Sequence, residues 1–131
     1  MREIKFRAWD KKKKIMLYFS LKTLSNDYEL SESVFDSWNN AITMQFTGLK
    51  DKDGKEIYEG DIMLIPSSLQ CSLERIGVVI FDEWRYLINI KKPEPCGQSF
   101  LNLNTDFIEV LGNIYENPKL LEKKEWVKNL I

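Results

Sequence analysis

The sequence predicts a mainly β protein: a small barrel, SH3-like and elaborated by hairpins, with one α-helix at its C-terminal end. Three observations support this fold class. Short apolar segments rich in β-branched and aromatic residues recur along the chain, and polar turn residues separate them. Only residues 117–131 have clear helical periodicity. An α+β arrangement is the alternative that this pattern leaves open.

The composition is typical of one compact domain spanning residues 1–131. The chain has 44% hydrophobic and 30% charged residues, and folding hides roughly two-thirds of the surface of a chain this long. Its longest apolar runs are far shorter than the roughly 18 residues of a membrane span, and Met1 leads directly into a charged strand-like stretch. We therefore expect a cytoplasmic protein with no membrane contact and with Cys71 and Cys96 as free thiols.

Histidine is absent from the sequence. Its absence excludes Ser-His-Asp and Cys-His catalysis, and it removes the commonest metal ligand. Two cysteines alone cannot form a structural zinc site, and no Gly-rich phosphate loop or dinucleotide fingerprint is present. We expect a protein that is not an enzyme and that holds no metal or cofactor.

The first 19 residues predict an N-terminal hairpin. The opening MREIKFRAWD alternates apolar with charged residues, and residues 15–19 return as a second apolar strand. Residues 1–22 carry eight Lys/Arg and two Asp/Glu, a charge of +6. A run of lysines at a hairpin tip is most often a solvated turn, but it is also the candidate nucleic-acid contact of this chain. The run consists of Lys11, Lys12, Lys13 and Lys14.

Two segments flank a predicted β core at residues 42–115. Residues 20–41 are polar and acidic and predict a variable insertion, either a short helix or an irregular excursion. At the other end, Asn117 is a favourable N-cap and Pro118 suits the first helical turn, so residues 117–131 predict an amphipathic helix. Its apolar residues exceed what one small core buries, which suggests an association surface at Trp126, Leu130 and Ile131.

The segment from residue 44 to residue 65 predicts a strand, a polar hairpin, a second turn and another strand. Gly54 and Gly60 suit turn positions that need positive φ, and Asp61 suits a turn hydrogen bond. Five carboxylates also lie within this segment: Asp51, Asp53, Glu56, Glu59 and Asp61. Their spacing does not match a calcium-binding EF-hand loop, so we interpret them as solvated turn residues rather than a metal site.

Three stretches follow one another along the chain: MREIKFRAWD, the central QFTGLKDKDGKEIYEGDI and the closing IEVLGNIYENPKLLE. Their combination and order resemble the YopX family of bacteriophage and prophage proteins. Together they cover the framework of nearly the whole chain, with residues 20–41 and 66–74 the least similar. The resemblance implies a β-rich fold, expression inside a bacterial cell and self-association. It implies no assigned biochemical activity and no catalytic residues.

We therefore expect a non-enzymatic phage accessory protein that binds another protein or copies of itself. The alternative is a nucleic-acid-binding module that uses the basic N-terminal hairpin, where aromatic residues lie close to lysines. A sequence pI of about 5.6 is low for a nucleic-acid-binding protein. Protein binding is accordingly the preferred hypothesis.

Overall fold

A computed structural model describes residues 3–20, 41–67, 74–83, 85–92, 98–100 and 105–122 of this protein. The described residues form nine β-strands and one 3₁₀ helix, so the predicted mainly β class is confirmed. The strands are β1 Lys5–Asp10, β2 Ile15–Ser20, β3 Ala41–Lys50, β4 Glu56–Tyr58, β5 Asp61–Ile65, β6 Arg75–Asp82, β7 Arg85–Lys92, β8 Gln98–Phe100 and β9 Glu109–Asn113.

The strands form two antiparallel sheets. The first sheet has the order β2-β1-β3-β4, and the second has the order β8-β7-β6-β5-β9. The chain passes from the first sheet to the second at the tight turn between β4 and β5, where Gly60 lies. Among the described strands each sheet is open at both ends, so barrel-like closure stays a prediction.

The hairpin of β1 and β2 forms because two amphipathic strands flank a polar turn. Its register is continuous from Lys5 opposite Ser20 to Asp10 opposite Ile15. The cross-strand partners Phe6 and Phe19 stack with ring centroids 5.7 Å apart, a pairing typical of stable antiparallel strands. On the opposite face of β1, Arg7 pairs with Asp61 of β5 and Trp9 stacks on Tyr115 just after β9, so these two side chains point towards the second sheet.

One hydrophobic cluster of the core lies on a face of the second sheet. Seven buried apolar residues form this cluster: Ile57, Met63, Ile65, Val79, Ile88, Ile90 and Val110. Ile57 belongs to β4 of the first sheet, and it is completely buried. Burying such a side chain stabilises a fold by roughly 1.5–3 kcal/mol. Packing at Ile57 therefore contributes to holding the end of the first sheet against the second.

The predicted C-terminal α-helix is not present in the described part of the chain. Residues Pro118–Leu121 form a 3₁₀ helix, with i to i+3 hydrogen bonds from Leu120 N to Asn117 O and from Glu122 N to Lys119 O. The prediction assumed that Asn117 caps a helix. Its side chain makes no cap bond, because its Oδ1 accepts the N–H of Asn113 instead.

Several predictions concern segments outside the described residues. The insertion predicted at 20–41 lies outside them except for its first and last residues, Ser20 in β2 and Ala41 in β3. The two cysteines also lie outside them, as does the predicted helix from residue 123 onward with its association surface of Trp126, Leu130 and Ile131. Within the described residues, no helix has the length and apolar character that crossing a membrane requires.

Candidate functional site

A cleft of about 390 Å³ opens where the two sheets meet. We call it the junction cleft. It is lined by Arg7 of β1, Tyr18 of β2, Glu56 and Tyr58 of β4, Asp61 of β5 and residues 110–113 of β9, with Lys55, Glu116 and Asn117 at neighbouring positions. Among the strands that the structure describes, β4 and β9 are end strands of their sheets. The cleft is therefore bounded by two sheet edges and by side chains from both sheets.

A buried ion pair forms the centre of the junction cleft. Arg7 Nη2 lies 2.8 Å from Asp61 Oδ1, and both side chains are almost completely buried. The same nitrogen donates to Glu59 O at 2.9 Å. Removing one partner of a buried pair typically costs about 3–5 kcal/mol, because the other charge is left without a partner. The pair therefore connects the first sheet to the second through charge-assisted hydrogen bonds.

The environment of Asp61 combines burial with two hydrogen-bond donors. Its Oδ2 accepts the N–H of Tyr58 at 2.8 Å across the turn. Burial raises the pKa of Asp61, while the Arg7 guanidinium and the Tyr58 N–H act in the opposite direction. Each carboxylate oxygen thus has a partner within the protein, so Asp61 is suited to holding the two sheets together.

Aromatic side chains cover the ion pair. The Arg7 guanidinium lies 4.9 Å from the centroid of the Tyr58 ring, and Tyr18 meets Tyr58 edge-on at 5.7 Å. Burial, followed by the charge of Glu56, raises the pKa of Tyr58 to about 12, so its phenol stays protonated at neutral pH. Tyr18 is 59% exposed. It therefore offers the cleft an aromatic ring and a hydroxyl group that solvent reaches.

The comparison with protein-family models matches residues 5–122 to the model described as YopX protein. The chain belongs to the YopX family. Two solved structures have the same fold: protein EF1440 from Enterococcus faecalis and protein yopX from Bacillus subtilis. The first has 26% identity and a TM-score of 0.54, covering 90% of this chain and 97% of the other. The second has 21% identity and a TM-score of 0.57, covering 92% and 98%.

The lysine tip of this YopX chain, residues 11–14, is exposed at the turn between β1 and β2. Asp10 shapes the turn, since its Oδ1 accepts the N–H groups of Lys12 and Lys13 at 2.9 and 3.0 Å. Lys14 has φ +56° and donates its N–H to Asp10 O. Among the ion pairs of the described residues, none includes a lysine of the tip. The tip is not part of the lining of the junction cleft.

The predicted turn residues occupy two different environments. Gly54 has φ +83°, and a Cβ there would meet no atom within 4 Å. Gly60 has φ +84°, and a Cβ there would lie 3.0 Å from Met44 Sδ. Gly60 is thus constrained by both its backbone conformation and its packing against the first sheet. Asp61 accepts the predicted turn hydrogen bond and also takes part in the ion pair with Arg7.

The five carboxylates of the central segment do not converge. Four of them engage separate partners of the protein: Asp51 three backbone N–H groups, Glu56 the ammonium of Lys5, Glu59 the N–H of Gln45, and Asp61 the guanidinium of Arg7. Asp53 is exposed. In the described part of the chain, no group of three or more Cys, Asp or Glu side chains is placed to hold a metal ion.

Sequence reasoning missed Arg7, Tyr18 and Tyr58 as members of one site. The alternation of β1 placed Arg7 on its polar face, whereas the structure leaves only 3% of Arg7 exposed. The sequence did contain a signal, because Trp9 shares that face with Arg7. Trp9 stacks on Tyr115, in the turn that follows β9, with ring centroids 6.0 Å apart. A large aromatic residue among the charges of an alternating strand indicates that both faces are covered.

Proposed function

We propose that this YopX-family chain is a non-enzymatic accessory protein of a phage or prophage. It acts in the cytoplasm of a bacterial host by binding another protein or copies of itself. Two considerations support this proposal: the resemblance of the chain to phage-encoded proteins, and the bacterial sources of the two solved structures, Enterococcus faecalis and Bacillus subtilis.

The observation that carries the binding function is the exposed Tyr18 at the junction cleft. Arg7 and Tyr58 lie below it, and tyrosine and arginine are among the residue types that contribute most to protein interfaces. The ionised groups at the centre of the cleft are already engaged, Arg7 with Asp61 and Glu56 with Lys5. A carboxylate held in this way is poorly placed to exchange a proton with a substrate, which supports binding over catalysis.

Affinity capture from prophage-bearing cells tests the proposed function. The tagged chain is expected to retain a host or phage protein after nuclease treatment of the lysate. If self-association is the function, light scattering of the purified chain is expected to give a mass above its 15.5 kDa. Truncation after Pro118 removes Trp126, Leu130 and Ile131. If the truncated chain no longer self-associates, the C-terminal association surface is responsible; if it still does, the junction cleft is. A monomer that captures no protein contradicts the proposal.

Nucleic-acid binding through the lysine tip is the second candidate. Four consecutive exposed lysines favour it, because contacts to phosphate account for most non-specific affinity. The double variant Lys12→Glu and Lys13→Glu is expected to abolish binding to DNA or RNA in gel-shift assays at low salt. Lys119→Glu, at an exposed lysine in the 3₁₀ helix, is the matched control. Absence of any shift for the unmodified chain contradicts this candidate.

The barrel-like arrangement remains part of our proposal. Contacts between the β3–β4 turn and the segment before β9 support it: Lys52 N donates to Ile108 O at 3.0 Å, and Thr105 Oγ1 donates to Lys50 O. These bonds bring the far end of the first sheet to the edge of the second. An experimental structure in which β4 and β9 are separated by solvent along their whole length would contradict closure.

A further inference from the structure

We propose that the outer edge of β2 binds the β2 edge of a second copy of this chain, antiparallel and across a two-fold axis. This inference rests on the self-association part of the proposed function, and it specifies the surface and the register. β2 contains Tyr18, which lines the junction cleft. Three features support the proposal: an unprotected strand edge, exposed apolar side chains and charges of opposite sign at the two ends of the strand.

Three of the four end strands in the described sheets are protected against pairing with another chain. The end strands are β2, β4, β8 and β9, and short length, bulges, charges or covered backbone groups protect such edges. β4 and β8 have three residues each, and the N–H of Tyr58 in β4 is bonded to Asp61. β9 has a register shift against β5, and the side chains of Asp51 and Asn117 accept two of its N–H groups. These three edges are therefore poorly suited to pairing.

The edge of β2 has none of these protections. The strand has six residues, none of them charged, and its register with β1 is continuous from Ile15 to Ser20. Alternate residues of an edge strand direct their backbone N–H and C=O groups away from the neighbouring strand. Among the described residues, only β1 pairs with β2, and no backbone bond outside that pairing involves residues 15–18. This part of β2 is therefore a template for a second strand.

Apolar side chains of β2 are exposed on both faces of its sheet. Ile15 is 43% exposed and Tyr18 is 59% exposed, and they point to opposite faces because side chains alternate along a strand. A two-fold axis at Leu17 places Met16 of one copy opposite Tyr18 of the other. Aromatic and apolar side chains in such cross-strand pairs stabilise antiparallel strands. The proposed register therefore covers apolar surface that a single copy leaves in water.

The charges at the two ends of β2 favour a second copy of this chain as the occupant. The lysine tip precedes β2, whereas residues 23–40, which follow β2 in the sequence, contain four Asp or Glu and no Lys or Arg. Antiparallel pairing brings the start of one β2 next to the end of the other. Each lysine tip therefore lies next to the end of β2 from which the acidic stretch of the other copy continues. The two lysine tips stay roughly 20 Å apart, beyond the Debye length of about 8 Å at physiological salt.

Two charge variants of the full chain test the register by sedimentation over a series of concentrations. A contact through one strand is small beside the roughly 800 Å² per partner of a stable interface, so we expect a dimer that dissociates on dilution. Met16→Lys with Tyr18→Lys places like charges opposite each other across the two-fold axis. Met16→Lys with Tyr18→Glu changes the same positions but places opposite charges there. We expect the second variant to dimerise at least about tenfold more tightly than the first, and circular dichroism checks that both are folded.

A cysteine at the two-fold axis gives a second measurement. In the proposed register the two Leu17 Cα atoms lie about 4.5–5.5 Å apart, a separation that a disulfide bridges. Mild oxidation of Leu17→Cys is therefore expected to give a covalent dimer. Thr43→Cys is the matched control, because Thr43 is exposed on the same face of the sheet but in the interior strand β3. It is expected to form no more covalent dimer than the unmodified chain.

The outcomes separate this surface from self-association in general. Equal dissociation constants for the two charge variants, or equal cross-linking of Leu17→Cys and Thr43→Cys, would overturn the proposed pairing. If the unmodified chain still dimerises in either case, self-association stands and its surface lies elsewhere. A chain that stays monomeric at every concentration overturns both the pairing and self-association, and capture of another protein from cells then supports the remaining part of the proposed function.

Discussion

Two hairpin turns of this protein are built by the same local device but have different surroundings. One is the Asp10 turn, residues 10–14, and the other is the Asp51 turn, residues 51–55. Each begins with a buried aspartate whose Oδ1 accepts two backbone N–H bonds from the residues that follow. The donors are Lys12 and Lys13 in the Asp10 turn, and Asp53 and Lys55 in the Asp51 turn.

The turns differ in their contacts with the rest of the fold. Asp51 Oδ2 accepts the N–H of Val110 in β9 at 2.9 Å, a bond between the two sheets. Lys52 adds a second bond through Ile108. The Asp10 turn instead presents four exposed lysines to solvent. A capping aspartate is therefore a local feature that sequence predicts well, whereas the bond from Val110 to Asp51 Oδ2 depends on which strand tertiary packing brings nearby.

Replacing Asp51 should have the largest effect that distinguishes the two turns. Asp51→Ala removes the acceptor of three backbone N–H groups, one of them the buried N–H of Val110. Because an unpaired buried donor costs about 1–3 kcal/mol, we expect the free energy of unfolding to fall by roughly 3 kcal/mol or more. Urea denaturation followed by tryptophan fluorescence measures it.

Asp53→Ala is the control for that substitution. Asp53 is exposed in the same turn, and its backbone N–H to Asp51 is kept in the variant. We expect a change within about 0.5 kcal/mol, as at most surface positions. Equal losses in Asp51→Ala and Asp53→Ala would show that the turn is not a link between the sheets.

The contrast between local turn chemistry and tertiary contacts also explains which features of the fold and the site the sequence could predict. Alternation and turn chemistry predicted the strands, the polar turns and the positive φ of Gly54 and Gly60, because these depend on neighbours in the chain. The Arg7–Asp61 pair joins residues far apart in sequence, so no local pattern indicates it. The expected cap at Asn117 was wrong for a related reason. Its side chain found a competing donor in Asn113, which lies in β9.

Acid titration tests how much the ionised Asp51 side chain contributes to stability. Burial acts to raise its pKa, but hydrogen bonds from Val110, Lys55 and Asp53 outweigh burial and lower the pKa below the ordinary value of 3.8. A lowered folded-state pKa means that this stabilisation is present above pH 3.8 and is lost as the pH falls through the folded value. Between neutral pH and pH values below 3.8, the free energy of unfolding should therefore fall less for Asp51→Asn than for the unmodified chain.

Measurement of the free energy of unfolding at a series of pH values tests this expectation. Asp61→Asn serves as the contrasting variant, since the raised pKa of Asp61 gives a contribution of opposite sign. If Asp51→Asn and the unmodified chain have parallel pH dependences, the three hydrogen bonds do not favour the ionised form of Asp51.

A smaller effect is expected at Gly54 in the Asp51 turn. Gly54→Ala places a Cβ in open space at φ +83°, so only the backbone conformation opposes it. We expect a loss of about 1 kcal/mol, the usual cost of the left-handed region for a residue with a Cβ. Gly60→Ala has nearly the same φ but a contact of 3.0 Å with Met44 Sδ. Its thermal midpoint should be lower than that of Gly54→Ala, and equal midpoints would contradict a packing role for Gly60.

The smallest effect is expected at Lys14 of the Asp10 turn, and its sign is opposite. Lys14 has φ +56°, a backbone conformation that costs a residue with a Cβ about 1–2 kcal/mol. Glycine avoids this cost, but fixing its more flexible backbone costs about 0.5–1 kcal/mol more than for other residues. Lys14→Gly should therefore raise the free energy of unfolding by a few tenths of a kcal/mol up to about 1 kcal/mol. Lys12→Gly, at a position without positive φ, should lower the free energy of unfolding.

If both variants lower the free energy of unfolding, the positive φ of Lys14 does not destabilise the Asp10 turn. If Lys14→Gly stabilises the chain but weakens binding to nucleic acid, the lysine is explained by its charge, and the lysine tip becomes the preferred binding surface.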